Sequence, residues 1–480
     1  MTECTERSEG REGMPRAAQH DRMTDLVPAL LGAPPAPFFI SPADDRDLGV
    51  YRLLRRRVFV EEQGIFARSD MDDRDADPRT VVLVARSPEG QVLGGVRVGP
   101  AAGGPDVGWW VGGRLVVDPV VRGGSGLGGR SIGSALIRAA CAIAESAGAL
   151  RFDATVQIRN ERMFRRLGWQ SVRASTVAGR PHMLMRWPIG RIAALAATKR
   201  PLGDLARDMS MPGFVGDDGA PVPGSDLIAA CDAILPSMVE RDPEWAGWCA
   251  VLVNVNDLAA MGAAPVGLLN AVGARDSEFA ARILRGLRRG CAAYDIPVLG
   301  GHTQLGVPAA LSATALGRTC HPIPGGGGRP GHRVRLTADL GGQWRPGYRA
   351  RQWDSTSHRA PTELRTMIAS VAAMRPAAAK DVSMAGIAGT LGMLAEASGC
   401  AAVLDVANVP RPASATVGDW FTCFPGFAMV TTGPASTADT GPAVTAECGE
   451  LVAGRGVRLR WPDGELTEAI SAGVTGLGTA

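Results

Sequence analysis

Glycine and proline divide this chain into separate regions of alternating strand and helix pattern, and this division constrains the fold most. The 480 residues include 62 glycines and 34 prolines, a fifth of the chain. We expect a disordered tail over residues 1–35, which are polar and then proline-rich. The pattern predicts an α/β (α+β) chain of two modules, the second of them in two halves. The predicted segments after the tail are 36–192, a linker at 193–212, and the halves 213–325 and 326–480.

Composition and charge exclude several classes of protein. The chain is 45% hydrophobic and 21% charged, with a net charge of +3, so neither wholesale disorder nor nucleic-acid or membrane binding is expected. It shows no signal peptide and no apolar run of membrane-spanning length. Nine cysteines without a C-x-x-C pair indicate reduced thiols in a cytoplasmic protein. Lys199 and Lys380 are the only lysines, so a phosphate site must depend on metal, arginine and backbone N–H groups.

In the first module, short runs of apolar residues predict strands at 38–40, 80–85, 91–98 and 114–117. A capped helix is expected from Asp44 to Val60, and an amphipathic helix from Ser131 to Ala147. The strand 114–117 and the helix at 131 are joined by a glycine-rich loop. Free N–H groups of a first helical turn can bind a pyrophosphate, so this junction is a candidate anion site.

The residues around this junction resemble the acetyl-CoA motif of the GNAT acyltransferase superfamily. Arg130 to Ala135 reads Arg-x-x-Gly-x-Ala, and the runs VFVEEQG at 58–64 and NERMFRRLGW at 160–169 follow the superfamily's order. A rival register starting at Arg122 fits the helix length poorly. The resemblance implies an N-terminal GNAT fold with a central mixed sheet that binds acetyl-CoA. The implied acetyl-CoA residues are Val116, Val117, Arg130, Ser131, Ile132, Gly133, Ser134, Ala135, Asn160 and Phe164.

Catalysis in this module is less defined by the sequence. Phe164 stands where many GNAT relatives carry a tyrosine general acid, and a phenyl ring cannot donate a proton. Glu61 and Glu62 are candidates for the general base, although a pair of helix-surface glutamates is more often a solvated face.

The second module contains aspartates that we place at strand ends or turns. Carboxylates brought together from such positions suit Mg²⁺ ions that bridge a triphosphate, because hard cations prefer oxygen ligands. Any one of these aspartates could instead cap a helix or hold a turn. The predicted metal ligands are Asp217, Asp218, Asp232, Asp257 and Asp381.

Three runs of the second module resemble the AIR-synthase-related (PurM-like) superfamily. They are VNVNDLAAMGAAPVG at 253–267, VLGGHTQ at 298–304 and AAAKDVSMAGIAGTLGMLAEASG at 377–399. The resemblance implies two α/β halves with ATP and Mg²⁺ held between them, and a homodimer formed through this module. The ATP residues it implies are Gly300, Gly301, His302 and Thr303. Two features of individual relatives are missing. Phe424–Phe427 stands where thiamine-monophosphate kinase has its GED loop. The catalytic Cys and Lys of selenophosphate synthetase, expected before Gly216, are both absent from the sequence.

Together the modules resemble an uncharacterised fusion family of bacterial nitrilase-associated gene clusters. The expected activity is bifunctional: acyl transfer from acetyl-CoA to a small amine, and ATP·Mg-dependent phosphoryl transfer to a small metabolite. In the alternative hypothesis, one module is a non-catalytic scaffold that senses nucleotide or acyl-CoA and dimerises the other. Small molecules are the expected partners.

Overall fold

The structure is a computed structural model that describes residues 37–122, 131–206, 209 and 211–480. Two compact units are distinguished. The first contains the described residues up to Asp72, with Val81–Arg97 and Arg114–Ala139. The second contains Asp73–Thr80, Val98–Gly113 and the chain from Ala140 onward. The predicted tail at 1–35 lies outside the described residues.

The first unit packs a capped helix against strands. Asp44 caps helix α1 by accepting a hydrogen bond from the Asp47 backbone N–H, and the Asp47 carboxylate accepts one in return. The helix continues as a π-helical segment, Arg56–Glu62. A small apolar core contains Tyr51, Leu54, Val58, Phe59, Val84 and Val116. The elements that lie wholly or partly in this unit are β1 (Phe39–Pro42), α1 (Asp45–Arg55), β2 (Val81–Arg86), β3 (Val92–Pro100), β4 (Trp109–Val117) and α2 (Ile132–Ser146).

The predicted elements of this region are confirmed with small shifts at their ends, except that the strand expected at 114–117 is the end of the longer β4. Strand β1 pairs antiparallel with β2, from Phe39 opposite Arg86 to Pro42 opposite Leu83. Near the end of β4, Arg114 has a φ of 54°, a left-handed conformation that is uncommon for a residue other than glycine.

The second unit begins with a mixed sheet. Strand β4 runs parallel to β5 over Trp109–Gly112, and β5 and β6 each pair antiparallel with β7. Phe164 packs edge-on against Trp169. The elements after β4 are β5 (Arg151–Gln157), α3 (Glu161–Arg166), β6 (Gln170–Val177) and β7 (Arg180–Trp187).

Two short helices, α4 (Arg191–Ala197) and α5 (Leu202–Leu205), occupy the segment expected to be a linker. Ile192 and Ala196 are buried in the same apolar core as the second half of the C-terminal module. Arg191 pairs with Asp419 at 2.8 Å, and the Gly203 N–H donates to the Thr475 carbonyl at 2.8 Å. This segment is therefore packed against the C-terminal module.

The first half of the C-terminal module is a five-stranded sheet with helices packed on it. The strand order is β11-β10-β12-β9-β8, in which β10 and β11 are parallel and β12 is antiparallel to β10 and β9. All residues of helix α7 except Glu244 are buried, and the helix packs against α8. The elements are β8 (Ala220–Pro221), β9 (Leu227–Ile234), α6 (Pro236–Arg241), α7 (Pro243–Ala260), β10 (Ala264–Ala274), α8 (Ser277–Tyr294), β11 (Val298–Leu305) and β12 (Ala310–Arg318).

The second half has a seven-stranded sheet in the order β16-β19-β13-β20-β17-β21-β22, and β14, β15 and β18 form a small separate sheet. Helix α10 lies within the run at 377–399 that resembles the AIR-synthase-related superfamily. The elements are β13 (Arg333–Ala338), β14 (Gln343–Trp344), β15 (Gln352–Asp354), α9 (Pro361–Met374), β16 (Ala378–Asp381), α10 (Gly386–Ala397), β17 (Ala401–Asp405), α11 (Val417–Thr422), β18 (Phe424–Pro425), β19 (Ala428–Thr432), β20 (Val444–Val452), β21 (Val457–Arg460) and β22 (Leu466–Ile470).

Across the described ranges, no helix is long and apolar enough to cross a membrane. The eight cysteines within those ranges are all free thiols, as the absence of a C-x-x-C pair indicated.

Candidate metal and phosphate site

Three of the five predicted metal ligands meet in the structure. Carboxylate oxygens of Asp218, Asp257 and Asp381 all lie within 4.8 Å of one another. They come from a loop, from helix α7 and from the end of strand β16, so residues far apart in the chain are brought to one point. Asp257 corrects one expectation, because it lies within a buried helix rather than at a strand end or turn.

The cluster faces a cavity of about 770 Å³ that is lined by both halves of the C-terminal module. Among the residues that the structure describes, five carboxylates line it, and they are the five predicted ligands, Asp217, Asp218, Asp232, Asp257 and Asp381. The cationic side chains that line it within the same described ranges are those of Lys199, Arg351 and Lys380. A cavity of this size is within the range of small-molecule sites.

Lys380 holds one carboxylate of the cluster, that of Asp218, through a hydrogen bond. Its Nζ donates to Asp218 Oδ1 at 2.6 Å and to the Gly216 carbonyl at 2.8 Å, while the side chain is almost fully buried. The backbone N–H of Asp381 donates to Asp218 Oδ2 at 2.9 Å. Asp218 is thus held from both sides by consecutive residues of β16. The position of Asp218 is therefore fixed before any ligand binds.

Burial and mutual repulsion oppose ionisation of this cluster. Burial raises the pKa of Asp257 and of Asp381 well above the ordinary value, and neighbouring carboxylates raise both further. Asp232 is exposed but lines the cavity, and desolvation there raises its pKa as well. A divalent cation would remove this repulsion, so the group is suited to bind one.

Asp217 lies beside the cluster. Its Oδ2 accepts a hydrogen bond from the Gly325 backbone N–H at 2.9 Å. Its Oδ1 is buried and has no hydrogen-bond partner among the described residues. Desolvation raises the pKa of Asp217 to about 6, against the attraction of Lys380. This unsatisfied oxygen is the type of group that a cation or a bound water would satisfy.

The four ATP residues implied by the GGHT turn lie elsewhere. Gly300, Gly301, His302 and Thr303 belong to β11, an edge strand whose eight residues are all exposed. None of the four lines the cavity with the aspartates. Their assignment to ATP stays a prediction.

The predicted acetyl-CoA residues are distributed over both units. Val116, Val117 and Ser131–Ala135 lie in the first unit at the end of β4 and the start of α2, whereas Asn160 and Phe164 lie in the second. Arg130 lies outside the described residues. Phe164 is buried. Glu61 and Glu62 are exposed on the π-helical segment and pair with Arg56 and Arg122, as expected of a solvated face.

Sequence reasoning did not assign Lys199, Lys380 or Arg351 to the site. A signal for Lys380 was available, since it directly precedes the predicted ligand Asp381 in the run at 377–399. Lys199 is one of only two lysines, yet it was placed in a linker, where no pattern connects it with aspartates downstream.

Two α/β halves enclose the acidic cavity, and the candidate metal ligands come from both of them. Comparison with known families identifies this part of the chain. Residues 216–319 match AIR synthase related protein, N-terminal domain, and residues 329–460 match AIR synthase related protein, C-terminal domain. Through these residues the chain belongs to the AIR synthase-related proteins.

Individual relatives and solved structures match parts of the chain. An uncharacterised protein of Synechocystis sp. is 34% identical over 223 residues, which are 45% of this chain and 69% of that protein. Thiamine-monophosphate kinase of Synechococcus elongatus is 36% identical over 112 residues, 21% of this chain and 34% of the enzyme. A solved structure of AaThiL complexed with AMPPCP and TMP has a TM-score of 0.43 at 20% identity, covering 54% of this chain and 91% of that one.

Proposed function

We propose that the C-terminal module binds ATP with Mg²⁺ and transfers a phosphoryl group to an oxygen of a small metabolite. The observation that carries this proposal is the meeting of Asp218, Asp257 and Asp381 within 4.8 Å at the wall of a cavity of about 770 Å³. When bound, ATP supplies the phosphoryl group and Mg²⁺ neutralises charge on its phosphates. The similarity to a thiamine-monophosphate kinase supports a phosphoryl-transfer reaction.

The protein's own residues would do three things in this reaction. Asp218, Asp257 and Asp381 would hold the cation, and Lys380 would keep Asp218 in place. The apolar side chains of the cavity, among them Phe214 and Met393, would exclude water from the reacting oxygens. Phe424 lines the cavity where thiamine-monophosphate kinases carry their GED loop, so we expect an acceptor other than thiamine monophosphate.

Mg²⁺-dependent nucleotide binding by the full chain tests this proposal. We expect ATP to raise the melting temperature only when Mg²⁺ is present, and ADP to accumulate when extracts supply an acceptor. Binding without any turnover would favour the scaffold hypothesis, in which the module senses nucleotide. Absence of Mg²⁺-dependent binding would contradict both.

We also propose that a second copy of this chain pairs with the first half of the module. The edge strand β11 exposes all eight residues, and Leu299 and Leu305 are each about half exposed. An exposed apolar edge strand is a template for pairing, and a second copy would cover it. Such a pairing would place Gly300–Thr303 at the contact. Light scattering measures the oligomeric state of the wild type and of Leu299→Glu. We expect a dimeric wild type and a monomeric Leu299→Glu. A monomeric wild type would exclude this pairing.

For the N-terminal region we propose a GNAT-type acyltransferase activity. Support comes from the parallel pairing of β4 with β5 and from the left-handed Arg114, which lies three residues before Val117. Gly133 leaves space at the start of α2, since an added Cβ would lie 3.7 Å from Val117 Cγ2. Gly133→Ala should therefore fold normally, whereas the bulk of Gly133→Val should block a pyrophosphate. Calorimetry with acetyl-CoA distinguishes them: equal affinity in the wild type and Gly133→Val would exclude the site.

A further inference from the structure

One wall of the acidic cavity comes from outside the segments that define the family. Leu195, Lys199, Leu202 and Ala206 line it, and all four precede residue 216. They belong to helices α4 and α5 and to the turns that follow them. Within the second unit, the segment 191–206 is therefore part of the cavity and not only a connection.

This segment is held firmly in place. Ile192 and Ala196 are buried in the core of the second half, and α4 packs against α10, α11 and β22. The Arg191–Asp419 ion pair anchors its start, and the hydrogen bond from Gly203 to Thr475 anchors its end. Thr475 and Leu477 line the same cavity. Lys199 therefore sits on a segment fixed at both ends.

Lys199 and Lys380 differ in the hydrogen bonds and ion pairs that their side chains form. The ammonium of Lys380 is bound to Asp218 and to the Gly216 carbonyl. Within the described part of the chain, neither a hydrogen bond nor an ion pair involves the Lys199 side chain, and Lys199 is only partly buried. It lines the same cavity as Asp232 and Asp381, so its positive charge and their carboxylates border one space.

We propose that Lys199 binds the phosphate oxygens of the nucleotide in this cavity and so completes the site from the segment 191–206. The proposal rests on the proposed function of the cavity. A lysine ammonium is a compact charge with three donors, which suits a phosphate as a point contact. Because Lys199 lines the same cavity as the carboxylates that would hold the cation, it would lie within the space that the phosphates enter. The apolar neighbours Leu195 and Leu202 would contact a less polar part of the same ligand or of the acceptor.

Full-length Lys199→Met, Lys199→Arg and the control Arg200→Met test this inference. Arg200 is the adjacent residue, is exposed and does not line the cavity. Calorimetry would use Mg²⁺ with the β,γ-methylene analogue of ATP, and separately Mg²⁺ alone. Melting temperatures without ligand would establish that each variant is folded.

We expect Lys199→Met to weaken analogue binding by about 10- to 100-fold, the usual effect of losing a hydrogen bond to a charged group. Lys199→Arg should recover most of the affinity, and Arg200→Met should match the wild type. Equal analogue affinity in Lys199→Met and the wild type would overturn the assignment. The assignment would also be overturned if Lys199→Met bound Mg²⁺ alone more tightly but bound the analogue with unchanged affinity. Lys199 would then only offset the negative charge of the carboxylates. A wild type that binds no analogue would refute the proposed function itself.

Discussion

At the scale of single residues, the aspartate cluster brings like charges close together, which costs stability when no cation is bound. Asp257 lies in an almost fully buried helix among carboxylates whose charges oppose its own ionisation. Asp257→Asn keeps the shape and removes one of these charges. We expect the melting temperature in EDTA to rise by about 2–4 °C, for roughly 1 kcal/mol of repulsion removed. The stabilisation by Mg²⁺ and ATP should be lost.

Thermal melting with and without Mg²⁺ and ATP checks this expectation. Glu468→Gln is a matched control, because Glu468 is an exposed carboxylate on β22 remote from the cavity lining. If Asp257→Asn responds to Mg²⁺ and ATP as Glu468→Gln does, Asp257 is not a ligand.

The same residues predict how stability depends on pH without metal. Desolvation raises the pKa of Asp217 to about 6, and burial raises the pKa values of Asp257 and Asp381. Between about pH 4 and these raised values, the folded state binds more protons than the unfolded chain. The contribution of these groups to stability is therefore present at low pH and is lost as pH rises through the folded pKa values.

Melting curves in EDTA at several pH values measure this contribution. We expect the double variant Asp257→Asn, Asp381→Asn to lose less stability than the wild type between pH 5.5 and 7.5. Mg²⁺ should stabilise the wild type more at pH 7.5 than at pH 5.5, because only ionised carboxylates bind it well. Identical pH profiles of the two proteins in EDTA would contradict the assigned pKa shifts.

At the scale of secondary structure, close packing of α7 and α8 positions Asp257. Gly247 of α7 faces α8 so closely that an added Cβ would lie 2.7 Å from the Leu287 backbone nitrogen. Gly286 of α8 faces the Glu244 backbone of α7 in the same way. These glycines let the two helix backbones approach, as small residues do at tight helix contacts.

Gly247→Ala should therefore destabilise the second unit by about 1–3 kcal/mol, the usual cost of overpacking, despite alanine's better helix propensity. Gly103→Ala is the control, because no atom lies within 4 Å of its added Cβ and its φ is not positive. Urea denaturation measures both variants. A neutral or stabilising Gly247→Ala would show that the helices can separate without cost.

At the scale of the whole molecule, the second unit extends upstream of residue 216, where the match to the AIR synthase-related family begins. Leu150, Ile192 and Ala196 share a core with the second half of the C-terminal module. Arg151 is buried and donates to both Asp463 and Glu465 at 2.9 Å. Residues upstream of 213 thus contribute apolar contacts and ion pairs to the fold of the module.

A fragment of residues 191–480 should consequently be more stable than one of residues 213–480. Burying an isoleucine such as Ile192 contributes about 1.5–3 kcal/mol, and the shorter fragment leaves its pocket open. Soluble yield and melting temperature compare the two fragments with the full chain. Equal stability of both would support the boundary at 213 that the sequence indicated.

The sequence determined the elements whose signals are local. The Asp44 cap, the helix Ile132–Ser146 and the five aspartates were all identified from nearby residues, because capping and periodicity act within a few positions. Only the tertiary structure decided which aspartates meet, that Asp257 lies within a helix, and that Lys199 faces the same cavity. These positions depend on packing between segments far apart in the chain, from Lys199 to Asp381, which no local pattern encodes.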